Sequence, residues 1–575
     1  MRPRGWPATG RRARRLPTAG YALPAFALYG LFLLWPLARV LWLSFQQWDG
    51  YGTPVFVGLA NYGALIADPG FLAELQHSLI WLGVTLVVPV LLGLGLALLL
   101  GRAPKRLAAF CRAALMVPLL LPSAVIAVTW KLVYTPLHGL LNGLLRALGL
   151  GLLAVDWLGD PGFALGALLA AACWAAFGLS LLVFGAVLAG QEAAVHEAAA
   201  LDGAGPWARF RHLTLPALRG ALPLATVATA LCAVPSYDLV ALLTSGGPGY
   251  ATTTLELDME GRVFGLGQVG VGAAVAGVAA GIGLLLTLLA LAVARGHAPT
   301  SDTAEGGRTV PRPRRGRWVA GLGLVAAAGL TLLPPAWLVV QAGRLGPGES
   351  IGSDVAAVWA DGLGGAFANS LGIALVATVA TVALAVPAAF ALDRARQPWR
   401  ALGLVALAVG LFQPTEVVLI PLFNLLQATA LFNTPLGVIL PEVARGLPLS
   451  ILLLWGALRA LPVELLQAAE VDGAAPRQVL GRVVLPLALP TVAVVAVWAF
   501  LASWNEYLLP TIVLQDDSLQ TVPIELGHFI GRLDTQYALI ATGALLASAP
   551  LLVVYALGYG VLSAGLRRLR VVGAI

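Results

Sequence analysis

Charge is scarce in this chain. Asp, Glu, Lys and Arg make up 11% of its 575 residues, where soluble domains carry roughly a quarter. That excludes an ordinary water-soluble globule. Cysteine is scarce as well. Cys111, Cys173 and Cys232 fall in or beside apolar runs, and their spacing fits neither a disulfide framework nor a metal site. We read them as small apolar packing residues. The six histidines are scattered. No Walker A sequence occurs, so the chain does not hold ATP by that route. No catalytic constellation is present either, and we expect neither an enzyme nor a resident cofactor. A basic soluble face is also missing. The net charge of +7 is spread between apolar runs, which argues against a nucleic-acid partner.

Apolar residues are abundant, at 59%, with a mean hydropathy of +0.87. Inside lipid the backbone must satisfy itself, so long apolar runs become helices. Runs of about twenty residues suffice to span a bilayer. We place twelve, over 22–45, 79–100, 108–133, 163–189, 218–242 and 271–294, then 318–341, 369–392, 401–427, 436–458, 488–514 and 538–565. The fold class expected is an all-α polytopic membrane protein. The basic N-terminus leads into a run, Ala22 to Phe45, that is too long for the apolar part of a signal peptide. We expect an uncleaved first transmembrane helix.

Basic residues set the orientation. With the N-terminus in the cytoplasm, all but Arg39, Lys131, Arg146, Arg262, Arg344, Arg445 and Arg532 of the 35 Lys and Arg fall on the cytoplasmic side. Both termini are therefore expected inside. A Gly-, Pro- and Arg-rich stretch divides the chain. The expected organisation is a first half over 1–294, a cytoplasmic linker over 295–317 and a second half over 318–575.

The halves are related. His196–Pro216 aligns with Leu466–Pro486 without a gap, at the offset that joins Ala198 to Ala468. A longer offset joins Ser78 to Ser370 and Pro122 to Pro414, so the first half carries an insertion around 137–160. Both halves start on the same side, so the repeats run parallel. Each repeated stretch is a polar interruption between the fourth and fifth spans. Ala, Glu and Leu favour a short helix. Gly203 and Gly473 suit its left-handed end. Pro206 suits the first turn of a second helix, and Pro462 the first turn of the first. One such loop reads as an interfacial hairpin. Two in register read as paired docking points for a symmetric partner.

EAAALDGA with its Leu-x-Leu-Pro ending resembles the EAA loop of permease subunits of bacterial ABC importers. The resemblance implies a type I importer fold and a coupling role for Glu197, Ala198, Ala199, Asp202 and Gly203, and for Gln467, Ala468, Ala469, Asp472 and Gly473. Leu213, Leu215 and Pro216, and Val483, Leu485 and Pro486, complete the match. Gln467 stands where the motif has Glu, so the two loops are unequal. LLTSGGPGYATTTL (242–255) and WNEYLLP (504–510) are similar to stretches of carbohydrate-type permeases, in the order of a fused maltose or glycerol-3-phosphate pair. The family implies two ATPase domains, which bind the ATP and Mg, at the loops, and an extracytoplasmic solute-binding protein. It also implies residence in the bacterial cytoplasmic membrane.

Ionisable groups inside spans are costly, so each is a site candidate. These are Glu416, Glu442, Arg445 and Glu506, with Asn505 beside the last. Tyr237 and Tyr507 match at the loop offset, and Trp504 or Tyr507 offers a ring face to a sugar. Carboxylates and amides accept hydrogen bonds from sugar hydroxyls. Against this, Glu442 and Arg445 are spaced to neutralise one another. The expected function is the pathway of an ABC importer for a sugar, oligosaccharide or polyol derivative. A permease for iron or another small ion or cofactor, and a 6+6 secondary transporter, remain open alternatives.

Overall fold

The structure, a computed structural model, describes residues 19–190, 193–233, 236–296, 317–344, 350–532 and 536–569. Among them, nine helices are long and apolar enough to cross a membrane. Three bent pairs bring the spans to as many as twelve. The expected linker lies outside the described residues, apart from Arg295, Gly296 and Arg317.

The first half runs α1 (Leu23–Leu43), α2 (Pro69–Arg102), α3 (Lys105–Leu120), α4 (Ser123–Tyr134) and α5 (Pro161–Gly190). The short α6 (Ala193–Leu201) follows, then α7 (206–219), α8 (Ala221–Ala233), α9 (Tyr237–Leu243), α10 (Leu255–Glu260) and α11 (Val269–Gly296). The second half repeats the order as α12 (Arg317–Ala342), α13 (Ile351–Arg394), α14 (Trp399–Leu411), α15 (Thr415–Ala428) and α16 (Pro435–Arg459). It continues with the short α17 (Val463–Val471), then α18 (Pro476–Trp504), α19 (Leu508–Val513), α20 (Val522–Arg532) and α21 (Tyr537–Leu569).

Two expected spans are not straight. Residues 108–133 form α3 and α4, bent by 103°, and residues 401–427 form α14 and α15, bent by 100°. Pro122 and Pro414 cause both breaks. Proline disfavours a helical conformation in the residue before it, and Leu121 is extended, with ψ 137°. The fifth span of each half is broken as well. In the first half α7 and α8 meet at 55°, α8 is described as far as Ala233, and a separate helix starts at Tyr237. In the second half α18 is one 29-residue helix that ends at Trp504. Helix also begins earlier than hydropathy suggested at α2, where Asp68 caps the first turn through the Gly70 N–H.

The halves interlock. α1 packs on α15 and α16 of the second half, and the Tyr29 hydroxyl donates to the Ala406 carbonyl (2.7 Å). Reciprocally, α12 packs on α2, α3 and α4 of the first. One apolar core joins Leu168 and Val240 to Ala374, Leu526 and Ala544 across the repeat boundary. Cys111 and Cys173 are buried free thiols in this packing.

Each repeated loop is a nine-residue helix followed by a left-handed glycine, Gly203 at φ +81° and Gly473 at φ +77°. Pro206 and Pro476 open the next helix. Pro462 is the N-cap of α17 and not its first helical residue. The second helix of the module is not a separate short one. It runs on into the fifth span through a widened turn, where the Leu215 N–H reaches back to Phe210 O and the Leu485 N–H to Leu480 O. Pro216 and Pro486 follow at once. A proline lacks the N–H that an ordinary turn needs, and a π-turn lets the helix continue past it.

At the opposite end, each half folds the segment after its fifth span back onto its second helix. The Leu255 N–H donates to Ser78 Oγ (2.9 Å), and His77 Nδ1 lies 3.0 Å from Thr253 O. In the second half the Val522 N–H donates to Ser370 Oγ (2.8 Å), and Asn369 Nδ2 donates to Ser518 O (2.8 Å). Arg262 adds ion pairs to Asp68 (2.9 Å) and Asp258 (2.7 Å). Its guanidinium holds the Asp68 carboxyl below the ordinary value of 3.8. That stabilisation is full above the ordinary value and is lost as pH falls through the depressed one. The Asp68 side chain is 37% accessible, so the effect stays within about 1 kcal/mol. Asp68→Asn should therefore lower the melting temperature of the detergent-solubilised protein at neutral pH, and the difference from wild type should shrink as the pH falls below the ordinary Asp value. An equal difference above and below that value would exclude the ionised pair as its source.

Candidate functional site

The helix breaks bring polar residues from both halves together inside the apolar body. α4 starts at Ser123, whose hydroxyl donates to Asp238 in the first turn of α9 (2.6 Å). The equivalent start in the second half is Thr415, on α15. Arg445 of α16 donates to the Thr415 hydroxyl and forms an ion pair with Glu506. Glu506 sits in the break between α18 and α19 and accepts from the Leu509 N–H (3.4 Å). Ser503 donates to Glu442. Glu256, in the first turn of α10, accepts from the Ser236 N–H (2.8 Å) and from its hydroxyl.

These contacts form one cluster. Asp238 lies within electrostatic reach of Glu506, Arg445 and Glu256, and Glu416 within reach of Glu256, Asp238 and Glu506. Tyr237 and Tyr507 approach each other across the repeat boundary. The cluster thus sets Asp238, Glu256, Glu416, Glu442 and Glu506, with Glu260 in reach of both tyrosines, against the Arg445 guanidinium. Glu416 occupies the first turn of the 14-residue α15, where the helix dipole favours negative charge. Among the described residues, Glu416 Oε2, Glu442 Oε1 and Asn505 Oδ1 are buried without a hydrogen-bond partner. Three acceptors held ready in a low-dielectric interior suit a ligand rich in donors.

The structure departs from the sequence reading at three points. Arg445 acts on Glu442 through space, and its direct ion pair is with another carboxylate. It turns to Glu506, because the break after Trp504 carries that carboxylate alongside α16. Trp504 offers no ring face. It is 1% exposed, packs on Phe367 and Phe500, and donates to Ala547 O (3.3 Å). The cluster also includes Ser123, Glu256, Thr415 and Ser503, which hydropathy did not single out. Glu256 falls between the expected spans 218–242 and 271–294. Its signal is the acid that follows Thr-Leu in the segment after the fifth span.

The repeated loops lie apart from this cluster, at the other end of the α7–α8 pair and of α18. Glu197, Ala198, Asp202 and Gly203 are exposed and Ala199 half-buried; Gln467, Ala468, Asp472, Gly473 and Ala469 repeat that pattern. Leu201 and Val471, at matched positions, are 88% and 86% exposed. The loops differ in one link. Glu470 of α17 pairs with Arg394 at the end of α13 (3.2 Å), and the matched position in α6 is Ala200.

Two interlocked helical repeats, a buried polar cluster at their boundary and paired loops at one end define a polytopic membrane transport protein. The comparisons give the particular family. Residues 90–297 and 382–568 match the family described as binding-protein-dependent transport system inner membrane component. The chain belongs to that family and carries its unit twice. It is 31% identical to the trehalose/maltose transport system permease protein of Thermococcus litoralis, over 48% of this chain and 92% of that protein. It is 33% identical to the trehalose transport system permease protein of Mycobacterium tuberculosis, over 39% of this chain and 86% of that one. A crystal structure of a bacterial ABC transporter involved in import of the acidic polysaccharide alginate aligns with a TM-score of 0.42 at 19% identity, covering 49% of this chain and 96% of that one. The family is one of transport components, and the chain is an ABC importer permease rather than an enzyme.

Proposed function

We propose that this chain forms the complete translocation pathway for a sugar, oligosaccharide or polyol derivative, driven by partner ATPases. The observation that carries the reading is the boundary cluster, with its unpartnered carboxylate and amide oxygens and two tyrosines. A polyol presents many hydroxyl donors, and such acceptors recognise them. Glu416, Glu442, Arg445, Asn505, Glu506, Tyr237 and Tyr507 are the residues of that pathway. The trehalose and maltose named for the relatives support the same class.

The two ATPase domains dock on 196–216 and 466–486, which places those loops and both termini in the cytoplasm of a bacterial cell. Paired exposed apolar residues, Leu201 with Val471 and Val195 with Leu465, suit a two-fold partner. A solute-binding protein delivers ligand at the opposite end. The domain division is 1–294, a linker over 295–317, and 318–575. The test is purification of the complex, followed by uptake of labelled trehalose and maltose into proteoliposomes with the binding protein added. Uptake should require ATP and the ATPase. Uptake driven by an ion gradient alone, with no ATPase recovered, would overturn the reading.

A further inference from the structure

The two halves are unequal at the end opposite the loops. A cavity of about 460 Å³ opens between α4 and α9 of the first half and α21 of the second. Lys131, Thr135, Asp156, Thr244 and Tyr537 line it, among leucines and isoleucines. Asp156 belongs to the insertion around 137–160 that the second half lacks. The matched place in the second half carries aromatic rings instead. Phe423 stands at the position of Lys131 in the repeat. It meets Phe264 (5.8 Å) and Phe432 (5.1 Å) edge-on.

The cavity is aligned with the polar cluster. Lys131 lies eight residues beyond Ser123 on α4, about 12 Å along the helix, and Thr244 lies six residues beyond Asp238. The same two helices thus carry the cavity at one end and the Ser123–Asp238 contact at the other. Its size falls within the range of small-molecule sites, about 300–1,000 Å³. Its walls alternate an ammonium, a carboxylate and hydroxyls with apolar carbon, as a sugar alternates hydroxyls with C–H faces.

We propose that this cavity is a carbohydrate-binding vestibule, and that substrate reaches the cluster along the α4–α9 seam of the first half only. This rests on the carbohydrate reading above. The Phe423 ring cluster takes the place of the Lys131 ammonium in the equivalent seam of the second half, and entry in this proposal lies to one side of the pseudo-two-fold axis.

Two measurements test it. Thr244→Cys, compared with the wild-type chain in right-side-out vesicles, should react with a membrane-impermeant thiol reagent, and trehalose or maltose should slow the reaction. Lys131→Phe copies the ring into the first-half seam. It should lower uptake of the labelled sugars by about tenfold at equal protein level, whereas Phe423→Leu should stay within about twofold of wild type. An unreactive Thr244→Cys, as expected of a lipid-filled cavity, overturns the vestibule. So does full uptake by Lys131→Phe, or reactivity that neither sugar slows. Failure of the underlying carbohydrate reading shows separately, as wild-type vesicles that take up neither sugar, and the proposal falls with it.

Discussion

Arg445→Leu should abolish transport and cost the protein about 3 kcal/mol of stability. Four carboxylates, Asp238, Glu416, Glu442 and Glu506, lie within electrostatic reach of this guanidinium, which holds Glu506 and Thr415 directly. Removing one partner of a buried ion pair leaves the other charge without compensation, which costs roughly 3–5 kcal/mol. The lower figure applies because the Arg445 side chain remains 32% accessible. Arg445→Leu with Glu506→Leu removes both charges and should recover about half of the lost stability, though no transport. Thermal unfolding in detergent and uptake in proteoliposomes separate the two effects. A double variant no more stable than the single one would mean that Glu506 is not the charge left stranded.

The second large effect is expected at the loops. Gly203→Val and Gly473→Val each place a β-branched residue at a φ near +80°, a conformation that costs such a side chain about 1–2 kcal/mol or more. Nothing lies within 4 Å of a Cβ built at either glycine. The strain is therefore in the backbone alone, and the chain should still insert. Relief requires α6 or α17 to swing relative to the helix that follows. ATP hydrolysis stimulated by the binding protein should drop by about tenfold. Asn tolerates the left-handed region, so Gly473→Asn should keep most of the activity. Valine and asparagine variants that transport alike would show that the turn's handedness is irrelevant to coupling.

Much of this was readable from one sequence. Gly203 and Gly473 were assigned their handed turns from chemistry alone, and both adopt them. Ser78 and Ser370, first noticed as a repeat, turn out to hold matched backbone N–H groups. What was not readable is the breaking of spans. Hydropathy scores an apolar run identically whether it is one helix or two at a right angle. Pro122 and Pro414 were used as markers of the repeat, though each also turns the residue before it out of helix. The clustering of Asp238 with Glu506 could not be foreseen either. It depends on two breaks, one in each half, meeting across a boundary that no local pattern records. The opposite partner choice of Arg445 has the same origin. Spacing along a helix pairs it with Glu442, whereas the break at 505–507 offers Glu506 from the side.

The unequal fifth spans have a mechanical meaning. α18 is a single rod of about 44 Å from Pro476 to Trp504. One end carries the loop and the other carries Asn505 and Glu506. Tilting such a rod by about 10° around the loop sweeps its far end through roughly 8 Å. The first half has a joint in the same place, the 55° bend between α7 and α8, which absorbs part of any such stroke. Two equal pushes at the loops thus arrive at the cluster as unequal displacements. On the ATPase docking proposed above, the Glu506 side is the drive shaft and the Asp238 side the bearing against which it turns.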